Sequence, residues 1–250
     1  MLSPSEYDAE TRQVGGQFHT THWSVVLSAG QSDSVETRQA LQTLCGAYWY
    51  PLYSFARRLG RGPQDAEDLT QGFFAYFLKS NLVAKAQPAR GRFRSFLLAT
   101  FKHFMAGEWD RARAQRRGGG RQFIAWESQS AEERYAREPR DEKDPEKLYE
   151  WSWAMALLER TVSRLEAEFA ASRKQALFSE LKDCMVGGTA ESTYAVLAGR
   201  LGKTEAAIKE TVRRMRLRYR QLFREEIAQT VESASEVEAE LRHIAAVLRG

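Results

Sequence analysis

Apolar residues recur at helical spacing through most of the chain, and no sustained alternation predicts a strand. Between Val35 and Leu59, the positions Ala40, Leu41, Leu44, Ala47, Tyr48, Leu52, Phe55 and Leu59 trace a helix, with a kink or restart predicted at Pro51. Gly60 and Gly62 end it. Pro63 then stands where its fixed φ suits a first helical turn, predicting a second helix from Pro63 to Leu78. Asp65, Glu67 and Asp68 crowd its first turns, where the positive end of the helix dipole favours acids. A third helix, predicted from Phe93 to Arg117, carries Phe96, Leu97, Phe101, Phe104, Met105 and Trp109 on an aromatic face and basic residues on the other.

Gly118, Gly119 and Gly120 stop that helix, and periodicity is lost up to Pro145, apart from a stretch at Phe123 to Trp126 that could be extended. Loops of this length are uncommon inside one compact domain, so residues 118–147 read as a tether. The tether is acidic: from Gln122 to Glu150 there are nine acids against five bases. Helical patterning resumes at Leu148 with Trp151, Met155, Leu158, Val162, Leu165 and Phe169, and continues through Leu177, Phe178 and Leu181 to Gly187 and Gly188. A shorter helix, a tight turn and a long basic helix follow. The predicted fold is all-α: two helical domains, 35–117 and 148–230, joined by an acidic flexible linker, the second containing a helix-turn-helix. Residues 1–34 form an N-terminal extension in which Trp23 to Leu27 reads as a short helix, and 231–250 a C-terminal amphipathic extension. The stripe Val237, Leu241, Ile244, Ala245 and Leu248 is too short to stand alone as a helix. It is expected either to complete the core of the second domain or to cover a binding face.

Charge changes the picture. Arg90 to Arg121 holds nine Lys/Arg against Glu108 and Asp110, a balance of +7, and Arg200 to Arg224 holds nine against Glu205 and Glu210, again +7. The chain totals +4, so the remainder carries −10. Solubility favours mixed signs, whereas two basic islands on an acidic chain read as two footprints for a polyanion.

The second island contains a turn signature. Thr193 to Leu201, Gly202, and Lys203 to Ile208 have helix-turn-helix spacing: Ala198 is small where two helices cross, Gly202 permits the turn, and Thr204 is the predicted N-cap. Ile208, Val212, Met215, Tyr219 and Leu222 form the buried stripe of the following helix. Lys209, Glu210, Arg213 and Arg214 lie off that stripe near its N-terminal half, the part of a recognition helix that enters the major groove. There Arg can grip guanine and Glu210 can accept from cytosine. Arg216, Arg218, Arg220 and Arg224 are placed for phosphates, which add affinity without reading sequence.

The run Leu52 to Phe77, LYSFARRLGRGPQDAEDLTQGFFAYF, resembles region 2 of sigma-70 family transcription factors of the extracytoplasmic-function type. The resemblance continues in Phe93 to His103 (FRSFLLATFKH) and Asp110 to Arg117 (DRARAQRR), and Thr193 to Glu226 is similar to region 4. It spans Leu41 to Ala228 and implies a bacterial initiation factor that binds core RNA polymerase and promoter DNA and assists promoter melting. Asp65, Glu67, Asp68 and Gln71 fall where such factors grip the clamp helices of the largest polymerase subunit. The loop Ala86 to Arg94 falls where the family captures a base flipped from the −10 element, and region 4 reads the −35 element. Arg90, Arg92, Arg94, Lys102, His103, Arg111, Arg113, Arg116 and Arg117 are then candidate contacts to the −10 region, and Thr204, Lys209, Glu210, Arg213, Arg214, Arg216 and Arg220 to the −35 element. His103 departs from the Asn common in the family, and Gly107 inside the third helix marks a bend or a close approach of DNA. The resemblance leaves room for an anti-sigma factor or a regulatory kinase as a further partner, and the sequence identifies neither.

Other chemistry finds little support. Cys45 and Cys184 lie far apart without a metal-binding pattern and read as buried thiols in a reducing cytoplasm, and His19 and His22 have no companion ligands. No apolar run reaches membrane-spanning length, and the polar Met1 to Gly16 is expected to be neither signal nor anchor. No phosphate-cradling glycine loop occurs, and Asp65, Glu67 and Asp68 lack further acids to complete a metal-dependent nuclease site. Neither a catalytic function nor a cofactor is expected. The alternative reading is a helix-turn-helix regulator that binds operator DNA without polymerase, which leaves the first basic island without a role.

Overall fold

A computed structural model describes residues 35–80, 82, 92–114, 128–138, 144–185, 191–231 and 234–249, and every regular element among them is helical. Helix α1 (Val35–Arg58) runs on through Pro51 without a restart. Every residue from Ala47 to Ala56 is buried, because α2 (Pro63–Lys79), α3 (Phe93–Ala114), α4 (Ser128–Arg137) and α5 (Pro145–Ala171) pack around it. Apolar and aromatic residues on all sides, as in Tyr48-Trp-Tyr-Pro-Leu-Tyr53, suit such a central helix. The chain then reverses at Gly60, whose φ of 81° is open to glycine without strain, and the Arg61 amide donates back to the Ala56 carbonyl at 3.2 Å. Leu59, predicted on the buried face, lies at this reversal and is 47% exposed. Edge-to-face aromatic contacts join the first helices: Phe73 to Phe101 at 5.1 Å, Phe55 to Phe101 at 6.4 Å and Phe77 to Phe93 at 6.4 Å.

Part of the expected tether is ordered structure. Helix α4 lies within residues 118–147, with Ala131 and Glu138 buried against its neighbours. Arg134 stacks on the Tyr50 ring at 3.8 Å, while Arg57 and Arg58 both lie 4.9 Å from the Tyr135 ring centroid. These contacts are polar and aromatic, so no apolar periodicity announces them. Helix α5 also begins earlier than predicted, at Pro145, with the Asp144 side chain accepting from the Glu146 amide at 3.0 Å. Its fully buried face runs through Tyr149, Trp153, Leu157, Thr161 and Leu165, while Trp151, Met155, Leu158 and Val162 of the predicted stripe are only half-buried. The helix is wedged between α1 on one side and later helices on the other, so burial extends past a single stripe. Thr161 enters the core by donating to the Leu157 carbonyl at 2.8 Å.

Beyond α5 come α6 (Gln175–Leu181), a 3-10 turn (Lys182–Met185), α7 (Glu191–Leu201), α8 (Glu205–Ala228), a second 3-10 turn (Ala234–Glu236) and α9 (Val237–Arg249). Buried apolar residues form two clusters. The first joins α1 to α4 with Tyr149, Trp153 and Leu157 of α5, Ile227 of α8, and Val237 and Ile244 of α9. The second joins Leu165 of α5 with Phe178, Leu181, Cys184, Leu197, Ile208, Val212, Met215 and Leu222. The same two helices, α5 and α8, therefore enter both clusters, and a rigid helix shared by two cores couples them. Helix α9 docks on the first cluster instead of completing the core around α7 and α8. Trp23 to Leu27, Phe123 to Trp126, His19, His22 and Gly118 to Gly120 lie outside the described residues, as does the side chain of Cys45.

Candidate nucleic-acid interface

The turn between α7 and α8 is built from local chemistry. Gly202 adopts a φ of 60°, the Lys203 amide donates to the Ala198 carbonyl at 3.0 Å, and Thr204 caps α8 by accepting from the Ala207 amide at 3.2 Å. Ala198 is buried at the crossing, and Ile208, Val212 and Met215 turn inward. That arrangement leaves Lys209, Glu210, Arg213 and Arg214 on the outward side of the first turns of α8.

These residues already interact. Glu210 accepts two hydrogen bonds from Arg213, at 2.7 and 2.9 Å, and one from Arg214 at 2.7 Å, with the arginine side chains 62% and 75% exposed. Lys209 pairs with Glu205 at 2.7 Å and lies over the Tyr194 ring. Exposed pairs of this kind hold little free energy and yield to a competing anion. As a cytosine acceptor, Glu210 would first have to release both arginines, so its carboxylate is better placed to orient them. The hydrogen bonds from Arg213 and then Arg214 lower its carboxyl from 4.5 to about 2. A depressed value in the folded state makes its stabilising contribution complete above 4.5 and lost as pH falls through about 2. Carboxyl carbon NMR should therefore find Glu210 still ionised at about pH 3, where ordinary glutamates are protonated. A midpoint near the ordinary value would show that the two arginines do not hold it in solution.

Other cations of the second island have structural partners. Arg216, assigned above to phosphate, donates to the Cys184 carbonyl at 2.6 Å and thereby ties α8 to the 3-10 turn. It adjoins the buried stripe at Met215, and its direction is inward. Arg218 grips Glu168 of α5 through two hydrogen bonds at 2.8 and 2.5 Å, and Arg224 pairs with Glu238 of α9. Arg220 is exposed.

The first island departs further from expectation. Arg94 is 2% exposed, so it does not present a DNA contact in this conformation. Its Nε donates to Glu150 of α5 at 2.5 Å, its Nη1 donates to Glu240 of α9, and its guanidinium lies 4.2 Å from the Trp153 ring. Position 94 follows Phe93 into the core at the start of α3, and only groups from two distant elements, α5 and α9, together make a cation tolerable there. Arg92 pairs with Glu240 at 3.0 Å, and Lys102 pairs with Glu146. His103 is exposed, and Gly107 sits in α3 with open space where a Cβ would stand. Arg111 and Arg113 belong to α3 by their backbone, and their side chains lie outside the description. Arg90, Arg116, Arg117 and most of the Ala86 to Arg94 loop lie outside the described residues.

On α2, Asp65 and Asp68 are exposed, whereas Glu67 is half-buried and accepts from Gln71 at 3.0 Å. Burial, and then the neighbouring Asp68, raises the Glu67 carboxyl above its ordinary value. The outward acidity of this face thus belongs chiefly to Asp65 and Asp68.

Sequence reasoning missed three buried carboxylates. Glu138 accepts from Ser152 at 2.6 Å, Ser54 at 2.7 Å, Tyr50 at 2.8 Å and Arg58 at 3.3 Å. Glu226 accepts from Arg160 and Arg164 at 2.6 and 2.8 Å, and Glu240 is the carboxylate facing Arg92 and Arg94. An acid in an acidic segment carries no local sign of burial. Among the described residues no group of His, Cys, Asp and Glu could hold a metal ion, and no helix is long and apolar enough to cross a membrane. The chain matches no protein-family profile, no curated protein and no solved structure.

Proposed function

We propose that this chain is a bacterial transcription initiation factor of the sigma-70 type. It would bind core RNA polymerase through α2 and direct it to promoters whose −35 element is read by α7 and α8, acting as a helix-turn-helix. The observation that carries the reading is the outward group Lys209, Glu210, Arg213 and Arg214 on the first turns of a capped helix that follows a three-residue turn. Lys209 and Arg213 lie one turn apart, and weak pairs with Glu205 and Glu210 hold their head groups over the solvent face until bases replace those acids. The acidic face of Asp65 and Asp68 supplies a surface for a basic helix of the polymerase. The fall of Arg94 and Arg216 from the set of surface cations leaves that group intact.

The test is transcription with bacterial core polymerase on genomic DNA, with the starts read by sequencing. The intact chain should give starts that share upstream elements. Lys209→Ala or Arg213→Ala should weaken use of the −35 element by about 1–3 kcal/mol and relax its sequence, while Arg220→Ala should lower all promoters alike. An identical specificity profile for all three variants overturns the assignment of reading and anchoring faces. Nanomolar sequence-specific binding by the chain without polymerase overturns the initiation-factor reading in favour of an operator-binding regulator.

A further inference from the structure

We infer that α9 is a built-in cover for both basic islands: Glu240, anchored on the buried Arg94, holds the exposed Arg92 of the first, and Glu238 holds Arg224 of the second, and DNA must displace the Arg92 and Arg224 pairs. The inference rests on reading the islands as nucleic-acid surfaces. In the first island, Arg92, Arg94 and Lys102 are the cations with described side chains, and each faces an acid from α5 or α9. These partners are 44 residues away for Lys102 and 146 for the Arg94 pair with Glu240, so local helix pairing does not explain them. One short helix thus presents carboxylates two residues apart to cations that lie far apart along the chain, much as a phosphate backbone would.

The hold of α9 is suited to release. Glu240 is 2% exposed, and burying a carboxylate there is tolerable only while the arginines face it. The rest of the contact is modest: Val237 and Ile244 are buried, and Leu241 and Leu248 are half-buried. Thirteen residues do not persist as a helix in water without such docking. The Arg224 pair with Glu238 is about half exposed on both sides, which leaves it open to screening by salt and to competition by phosphate. A polyanion arriving at either island removes cations from α9 and weakens its grip on the other, so engagement of the two islands is coupled through one helix.

The probe is a fluorescein-labelled 30-base-pair duplex of arbitrary sequence, titrated by anisotropy into the full-length chain, Glu240→Gln, and the control Glu133→Gln. Glu133 is exposed on α4, so its replacement makes the same change in net charge away from the islands. At about 0.1 M salt, Glu240→Gln is expected to bind roughly tenfold tighter than the control, with a salt dependence steeper by about 1 phosphate contact as Arg92 becomes free, while Arg94 stays held by Glu150 under Trp153. Hydrogen exchange on the unaltered chain gives a reading that does not depend on the variant folding: saturating duplex should speed exchange of the α9 amides. Equal affinity and equal salt slope for the two variants, with α9 exchange unmoved by bound duplex, overturn the cover and leave the nucleic-acid reading standing. Failure of every form to bind duplex at about 0.05 M salt overturns both.

Discussion

Replacing Glu138 with Ala is expected to destabilise the fold by about 3–5 kcal/mol, the largest loss foreseen for a single residue outside the apolar core. Its carboxylate lies 3% exposed at the meeting of three elements and takes donors from Tyr50, Ser54 and Arg58 of α1 and Ser152 of α5. Truncation leaves three hydroxyls short of an acceptor and the Arg58 guanidinium without this carboxylate. Each unpaired buried donor costs about 1–3 kcal/mol, although such losses do not add in a shared network. Glu138→Gln retains the shape but not the charge and turns an amide NH2 toward donors, so a smaller loss of about 1–3 kcal/mol is expected. Urea unfolding of the two variants measures both. Tyr50 supplies an independent reading: burial, and then the Glu138 carboxylate, push its phenol well above the ordinary value. In the Gln variant, with the charge gone and the fold kept, phenol ionisation followed by absorbance should begin at lower pH. Unfolding midpoints unchanged in both variants would show that Glu138 is not a junction of the fold.

The second large effect is a loss of association with no matching loss of fold. Asp65→Lys with Asp68→Lys reverses the exposed acids of α2 and, on the proposed function, sets like charge against a basic helix of the polymerase, at a cost of several kcal/mol. Core polymerase should then fail to retain the variant, and promoter-dependent transcription should vanish. Glu67 is a poorer choice for this test, since it is half-buried and accepts from Gln71. The penalty to the fold is small: exposed substitutions stay within about 0.5 kcal/mol, and the helix-dipole contribution of each acid is about 0.3–1 kcal/mol. Thermal melting by circular dichroism checks that the helices persist. Retention at the unaltered level would show that this face is not the polymerase contact.

The two experiments separate the molecule's interior from its surface, and the first basic island shows why that distinction matters. Its sequence resembles a strand-tracking path, yet Arg94 serves as the ionic centre of a junction among α3, α5 and α9. Buried arginine over Trp153 is a feature of packing, and the same residue type two positions earlier, Arg92, remains 40% exposed. Charge counted along the chain measures how many cations are present. It does not measure how many are free.

What the sequence determined by itself was local. Pro63 opens α2, Gly202 and Thr204 turn and cap α8, and Ile208, Val212 and Met215 face inward, because fixed φ, left-handed backbone and period-3.6 burial depend on residues a few positions apart. What only the tertiary structure decided was every arrangement whose partners are distant. Helix α4 appears within a segment that reads as tether, because its Glu132, Arg134 and Tyr135 meet Tyr and Arg side chains of α1 with no apolar period. The buried face of α5 includes Ser152 and Thr161 because Glu138 and a backbone carbonyl satisfy them, which a stripe of apolar letters does not register. Helix α9 leaves the core around α7 for the core around α1, since Glu240 finds its arginines there. A buried polar group is stable only where its complement also lies, and that complement is fixed by the fold as a whole.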